Sequence, residues 1–245
     1  MNELFNILLA TIIVSLISFV GAFTLAMRVR DLKKYILVLV ALSAGALMGG
    51  AFLHLIPASI KTLSVDVIFL YVLVGFSLFF MIEKVLHWRH CHKHNCKVHS
   101  FAYMNLVGDG VHNFIDGLII AASFMVDVQV GMVSTLAIIL HEVPQEIGDF
   151  GVLLHGGFSK VRALFLNFLS ALTAILGGFV GYLLSNIVES FTAFLLPFAA
   201  GGFIYIAASD LIPELRKETG MKKAMVNFLI FLIGIFLMYL VKFLE

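Results

Sequence analysis

Two polar strings interrupt long apolar stretches of the chain, His112-Asn113-Phe114-Ile115-Asp116-Gly117 and His141-Glu142-Val143-Pro144-Gln145-Glu146. Imidazole, carboxylate and carboxamide groups together make a ligand set of borderline hardness, suited to Zn2+, Fe2+, Mn2+ or Co2+. Neither string contains cysteine, which argues against a thiolate copper site. Inside a bilayer each charged side chain costs about 2.5–3.5 kcal/mol on insertion scales unless something compensates it. A bound divalent cation is the compensation this residue mixture suggests, since Asp116 and Glu142 would formally cancel its charge.

The spacing turns these residues into faces. On an α-helix, residues three, four and seven apart lie on one side. Asp109, His112, Asn113 and Asp116 stand at i, i+3, i+4 and i+7, a polar stripe on an otherwise Phe/Ile/Leu/Val segment. In the next segment His141 pairs with Gln145, while Glu142, Glu146 and Asp149 form an adjoining row at i, i+4 and i+7. Two such stripes on consecutive helices can face each other and offer nitrogen and oxygen to one cation. The core site is therefore expected at His112, Asn113, Asp116, His141, Glu142, Gln145 and Glu146. Pro144 has no N–H to give, so it frees the carbonyl of Leu140 and loosens the helix there. Gly117 and Gly148 are expected to permit close helix approach or local unwinding nearby. Broken helices at mid-membrane are a recurrent feature of transporter binding sites.

The elements that must carry these stripes belong in lipid. The chain is 61% hydrophobic and 13% charged, with a mean hydropathy of +1.06, outside the range of a soluble domain. Its net charge of +1, without a Gly-rich phosphate loop or a basic–aromatic patch, removes nucleic acid as a partner. A spanning helix needs about 20 apolar residues. Segments 4–27, 35–60, 66–87, 101–126, 130–154, 162–188, 192–215 and 222–244 meet that need. The expectation is an all-α integral membrane protein with eight transmembrane helices, residues 1–245 forming one polytopic domain in the lipid bilayer. The first segment follows Glu3 and is too long for a signal-peptide core, so it reads as a retained span. Fourteen of the 16 Lys and Arg residues fall between spans on one side, with Lys61 and Lys242 on the other. The positive-inside rule then predicts both termini to be non-cytosolic.

Residues 87–100 form the longest polar interruption, on the predicted cytosolic side, with His90, Cys91, His92, His94 and Cys96 close together. Such tracts are compositional metal-binding signals. Their spacing matches no closed zinc pattern, so a loose metal-collecting loop is expected rather than a folded site. Asn167, Ser170 and Thr173 in the sixth span read as interhelical hydrogen-bonding groups. Asp66 and Asp127 read as loop residues near the outer mouth.

The two strings resemble the signature of the ZIP (zinc/iron-regulated-transporter-like) family, in the subfamily whose fourth helix reads H-N-F-x-D-G and whose fifth reads H-E-[IV]-P-H-E. Phe52-Leu53-His54-Leu55-Ile56-Pro57 in the second span and Ser209-Asp210-Leu211-Ile212-Pro213-Glu214 in the seventh add to the likeness. The resemblance implies uptake of zinc toward the cytosol, with Fe2+, Mn2+, Co2+ or Cd2+ as further cargoes and no organic cofactor. It implies a homodimer, a metal site between the fourth and fifth helices, and an elevator-like motion. His112, Asn113 and Asp116 match the fourth-helix ligands, and His141 and Glu142 the fifth-helix ones. His54 and Asp210 fall in spans that would line the pathway; the bland reading of His54 is a hydrogen-bonded core residue. Gln145 departs from the pattern, standing where this subfamily has a second histidine, so a single metal is expected. The implied location is the plasma (cell inner) membrane.

The rival reading of the same residues is an intramembrane metal-dependent hydrolase. Glu142 beside His141 invites it, but H-E-x-x-H needs histidine at position 145, where glutamine stands. An exporter of the cation-diffusion-facilitator type would need a cytosolic domain that eight spans leave no room for. The protein is therefore not expected to be an enzyme.

Overall fold

The computed structural model describes residues 3–24, 29–88, 98–187 and 190–241, and every regular element among them is helical. Helices α1 (Glu3–Ile17) and α2 (Val20–Thr24) form one broken rod. Helix α3 (Val29–Gly50) runs through a π-helical turn (Ala51–Leu55) into α4 (Ile56–Ser59). Three long helices follow, α5 (Val65–Trp88), α6 (Val98–Val126) and α7 (Val128–His155). Helices α8 (Lys160–Ala171) and α9 (Thr173–Ile187) are nearly continuous, and α10 (Phe191–Tyr205) passes through a second π turn (Ile206–Leu211) into α11 (Ile212–Arg216). Helix α12 (Met221–Val241) is the last.

Among the described residues six stretches are long and apolar enough to cross a membrane: Glu3–Ala22, Ile36–Ser59, Val65–Ile82, Lys160–Ser185, Phe191–Arg216 and Met221–Val241. Helices α6 and α7 carry the polar stripes, which dilute their hydropathy. They have 29 and 28 residues, which at about 1.5 Å per residue gives about 43 Å, more than the hydrocarbon core is thick. Helix α7 packs against α6, α3 and α1, so its polar stripe is shielded by its neighbours. By contrast α5 and α12 turn residues such as Phe69, Leu73, Phe228 and Phe236 outward, as helices bathed in lipid do.

The two π turns share a cause. Each precedes an x-Leu-Ile-Pro step, His54-Leu55-Ile56-Pro57 and Asp210-Leu211-Ile212-Pro213. Proline lacks the N–H for the usual bond and its ring crowds the carbonyl four residues back. A wider turn absorbs that mismatch without ending the rod.

Glycine sets the closest helix crossings, and it does so in reciprocal pairs. A Cβ added at Gly117 would land on the Ala174 carbonyl, and one at Gly177 on the Phe114 carbonyl, so α6 and α9 touch backbone to backbone. Gly45 with Gly234 does the same for α3 and α12, and Gly75 with Gly201 for α5 and α10. These are small-residue contacts of the kind that lets membrane helices approach without a hydrophobic driving force. Gly148 differs from the sequence expectation of close approach: nothing lies within 4 Å of its would-be Cβ, because it faces open space. Replacing Gly177 by valine should therefore lower the melting temperature of the purified protein by several degrees, since overpacking costs about 1–3 kcal/mol. Gly148→Ala should leave it unchanged, and equal melting temperatures for the two variants would contradict this packing.

Candidate metal centre

Helices α6 and α7 are joined by one residue, Asp127, which also caps α7: its Oδ1 accepts the Gln129 N–H at 2.7 Å. So short a joint leaves the helices antiparallel and fixes their register, and it gives Asp127 the loop role expected of it. Residues equally distant from Asp127 then face each other. His112 meets Glu142, Asp109 meets Gln145, and Asn105 meets Asp149, at 3.3, 3.4 and 2.8 Å respectively. The two stripes thus become one polar seam inside the bundle.

At the upper part of the seam four side chains converge. His112 Nε2 lies 3.2 Å from His141 Nε2, 3.3 Å from Glu142 Oε1 and 3.6 Å from Asp116 Oδ2. His141 Nε2 lies 3.3 Å from Asp116 Oδ2 and 3.6 Å from Glu142 Oε1. A tetrahedral cation with bonds of about 2.0–2.1 Å has ligand–ligand edges of about 3.3–3.4 Å. The observed separations are close to those edges, and the imidazole rings stand at 85° to each other. Asp116, His141 and Glu142 are buried, while the side chain of His112 keeps 17% exposure and is the opening of the group. All four carboxylate oxygens of Asp116 and Glu142 lack a hydrogen-bond donor. Buried acceptors without donors are costly, and a cation among them would satisfy them together.

The surroundings orient this group. His141 Nδ1 lies 3.0 Å from the Ala137 carbonyl. A carbonyl can only accept, so Nδ1 carries the proton and Nε2 presents its lone pair to the centre, the usual arrangement of a metal-binding histidine. The Leu140 carbonyl freed by Pro144 receives the hydroxyl of Ser43 from α3, which it shares with the Leu39 carbonyl. That contact repairs the backbone one residue before His141.

One turn further along the seam lies a second group. One oxygen each of Asp109, Glu142 and Glu146 fall within 4.8 Å of one another, all three residues buried. Asp109 accepts from Asn113 Nδ2 at 3.0 Å, from Gln145 Nε2 at 3.4 Å and from the Ser170 hydroxyl of α8. Glu146 accepts from Asn167 Nδ2, also on α8. Thr173 donates to the Gly110 carbonyl at 2.6 Å. The sixth-span polar residues are thus interhelical hydrogen-bonding groups as expected, but two of them hold acids of the seam.

Of the residues singled out from sequence, His112, Asp116, His141 and Glu142 come together as one group. Asn113 and Gln145 are turned toward Asp109 instead, and Glu146 joins the second group. Asn113 has a local reason: it sits one turn from Asp109 and bonds both its carboxylate and its backbone carbonyl. His54 is buried in the first π turn with its Nε2 2.7 Å from the Met238 carbonyl, so it donates across to α12. Asp210 lies exposed in the second π turn. Neither belongs to the two acidic groups among the described residues. His90, Cys91, His92, His94 and Cys96 lie outside the described residues. Sequence reasoning missed Ser43; the free Leu140 carbonyl called for a donor, but its identity depends on how α3 packs.

Comparison with known proteins bears on the same residues. A family model described as ZIP Zinc transporter matches residues 4–100 and 89–242. Zinc transporter zipt-7.1 of Caenorhabditis briggsae is 32% identical over 282 residues, spanning 86% of this chain and 72% of that protein. Zinc transporter ZIP13 of Mus musculus is 31% identical over 264 residues, 89% of this chain and 71% of that protein. Zinc transporter SLC39A7 of Canis lupus familiaris is 40% identical over 152 residues, 58% of this chain and 32% of that protein. The chain thus spans between about a third and seven-tenths of these relatives' lengths.

The Ser43 contact carries its own test. Ser43→Ala leaves a buried carbonyl unsatisfied, which costs about 1–3 kcal/mol. A thermal-unfolding series on the purified protein should show that loss, together with weaker zinc binding through a looser His141. Wild-type values for both would mean that the carbonyl finds another donor.

Proposed function

The chain belongs to the ZIP zinc transporter family, and on that premise we propose that it carries a divalent cation, zinc foremost, across the bilayer toward the cytosol. The cation binds between α6 and α7 at His112, Asp116, His141 and Glu142. The observation that carries this reading is the near-tetrahedral set of separations among those four side chains, with their carboxylate oxygens left without donors. Two carboxylates neutralise a divalent charge, so the loaded site is tolerable in a low-dielectric interior where the empty one is not. Two imidazole nitrogens favour zinc over magnesium or calcium and leave Fe2+, Mn2+, Co2+ and Cd2+ as secondary cargoes.

The reading includes eight spans, with α6 and α7 as the two that the polar seam makes less apolar, and termini away from the cytosol, as the 14-to-2 distribution of basic residues requires. It also includes the homodimer that the family resemblance implies. Alternating access would open the site first to one side and then to the other. The π turns before Pro57 and Pro213 are natural bending points for such a motion. A hydrolase is disfavoured, because four protein ligands close the shell and leave no position for a reactive water. Gln145 also turns to Asp109 rather than to the centre.

Zinc uptake into proteoliposomes, followed with an internal fluorescent indicator, tests this directly. His112→Ala and Glu142→Gln should each reduce initial uptake by at least about tenfold, since losing even an outer-shell partner of a metal ligand costs that much. Uptake by both variants at the wild-type rate would sink the assignment. Binding also requires deprotonated ligands. Zinc affinity should therefore weaken steadily from pH 7.5 to 5.5 as protons compete for the imidazoles and carboxylates. An affinity independent of pH across that window would contradict a histidine–carboxylate centre.

A further inference from the structure

Outside the polar seam, a groove of about 540 Å3 runs between α6 and the α8–α9 rod. Tyr103, Val107 and Val111 wall it on one side, and Leu169, Ser170 and Thr173 on the other. Tyr103, Val107, Val111 and Leu169 are exposed, so the groove opens toward lipid. Its α6 wall runs from Tyr103 to Phe114. At about 1.5 Å per residue that is about 16 Å, half the hydrocarbon thickness and so the depth of one leaflet. Drawn out over that length, the groove is narrower than a helix of about 10–12 Å diameter. It has the proportions of an extended hydrocarbon chain.

One end of the groove is charged. Arg162, in the first turn of α8, donates from Nη2 to the Tyr103 hydroxyl at 3.1 Å, and its guanidinium carbon lies 5.0 Å from the centroid of the Phe158 ring. These contacts hold the guanidinium over the mouth of the groove. Both partners are neutral. Among the described residues no carboxylate pairs with Arg162 or with the exposed Lys160 two residues before it. The N-terminus of α8, capped by Ser159, adds its positive dipole end at the same place. Deeper in the groove the polar groups are already used: Ser170 donates to Asp109, and Thr173 to the Gly110 carbonyl at 2.6 Å. Two cations thus stand at the end of an apolar slot one leaflet deep.

We propose that this groove seats an acyl chain of one anionic phospholipid, whose phosphate is bound by Arg162 and Lys160. The Tyr103 hydroxyl accepts from Arg162 and keeps its own proton to donate to a phosphate or ester oxygen. Basic pockets between membrane helices are a recurrent setting for such headgroups. A zwitterionic lipid would bring its own cation beside Arg162 and Lys160, and so would be held less tightly. The seated chain would cover Ser170 and Thr173 from outside and keep water from the wall behind Asp109. The distribution of basic residues puts the charged end in the cytosolic leaflet. That placement rests on the topology proposed above, whereas the binding itself does not.

Native mass spectrometry of the purified full chain in detergent tests the site, with phosphatidylglycerol and phosphatidylcholine of identical acyl chains as probes. The wild type should retain one phosphatidylglycerol per chain, at least about tenfold more tightly than phosphatidylcholine, the scale expected of two basic residues at a lipid headgroup. Lys160→Gln/Arg162→Gln should abolish that preference. Val107→Trp, which fills the groove from an exposed position, should lose the lipid and keep the wild-type melting temperature. Equal retention of the two lipids by the wild type, or phosphatidylglycerol held unchanged by either variant, would overturn the proposal. Displacement of the lipid by glycerol phosphate would reduce the site to an anion site. A smaller oligomeric mass for Val107→Trp with lipid retained would put a second copy of the chain in the groove. Either result would also overturn it. Zinc uptake by His112→Ala decides the transport reading separately, because none of the lipid outcomes depends on transport.

Discussion

The structure is organised around buried carboxylates that have no lysine or arginine partner among the described residues. Asp116 and Glu142 sit at the centre of an apolar bundle with all four oxygens lacking hydrogen-bond donors. By insertion scales two such charges cost about 5–7 kcal/mol, a large fraction of what a membrane protein of this size can lose. Fully protonating them would remove the charge but leave four polar oxygens still poorly satisfied. A divalent cation shared with His112 and His141 answers both problems at once. It is also mobile, as a lysine or arginine partner would not be, and an ion that can leave is what a carrier needs.

Everything else serves to hold the two polar stripes in register. The single-residue joint at Asp127 makes α6 and α7 a tight antiparallel pair, so residues equidistant from it meet. Gly117 and Gly177 let α9 press on the back of α6. Ser43 on α3 repairs the backbone break at Pro144, next to His141. Asn167 and Ser170 on α8 hold the lower acids. Three further helices thus contribute to the rigidity of a site whose candidate ligands come from only two.

Much of this was legible in the residue order. The heptad-like spacing of Asp109, His112, Asn113 and Asp116 showed one face of a helix, and the pairing with the next segment's acids followed from adjacency. The register itself was within reach, because a hairpin turning at Asp127 sets His112 opposite Glu142. The sorting of the acids into two groups was not, since Asn113 and Gln145 look like ligands in sequence and only packing turns them toward Asp109. Ser170 lies 61 residues from its partner Asp109, and no periodicity links them. His54 carried two readings, and its hydrogen bond to α12 accounts for its burial without a metal. Segments 101–126 and 130–154 stood out as apolar in the sequence, yet α6 and α7 are not among the six membrane-length apolar stretches of the described residues, because their polar stripes dilute them.

The proposed centre binds one divalent ion through two imidazoles and two carboxylates. X-ray absorption at the zinc edge, on protein loaded with one equivalent of Zn2+ per chain, tests it most directly. Such a centre should give a first shell of about four light atoms near 2.0 Å, with the multiple scattering of two imidazole rings. In His112→Ala that imidazole signal should fall by half. A shell containing sulfur near 2.3 Å, or one without imidazole scattering, would rule this centre out.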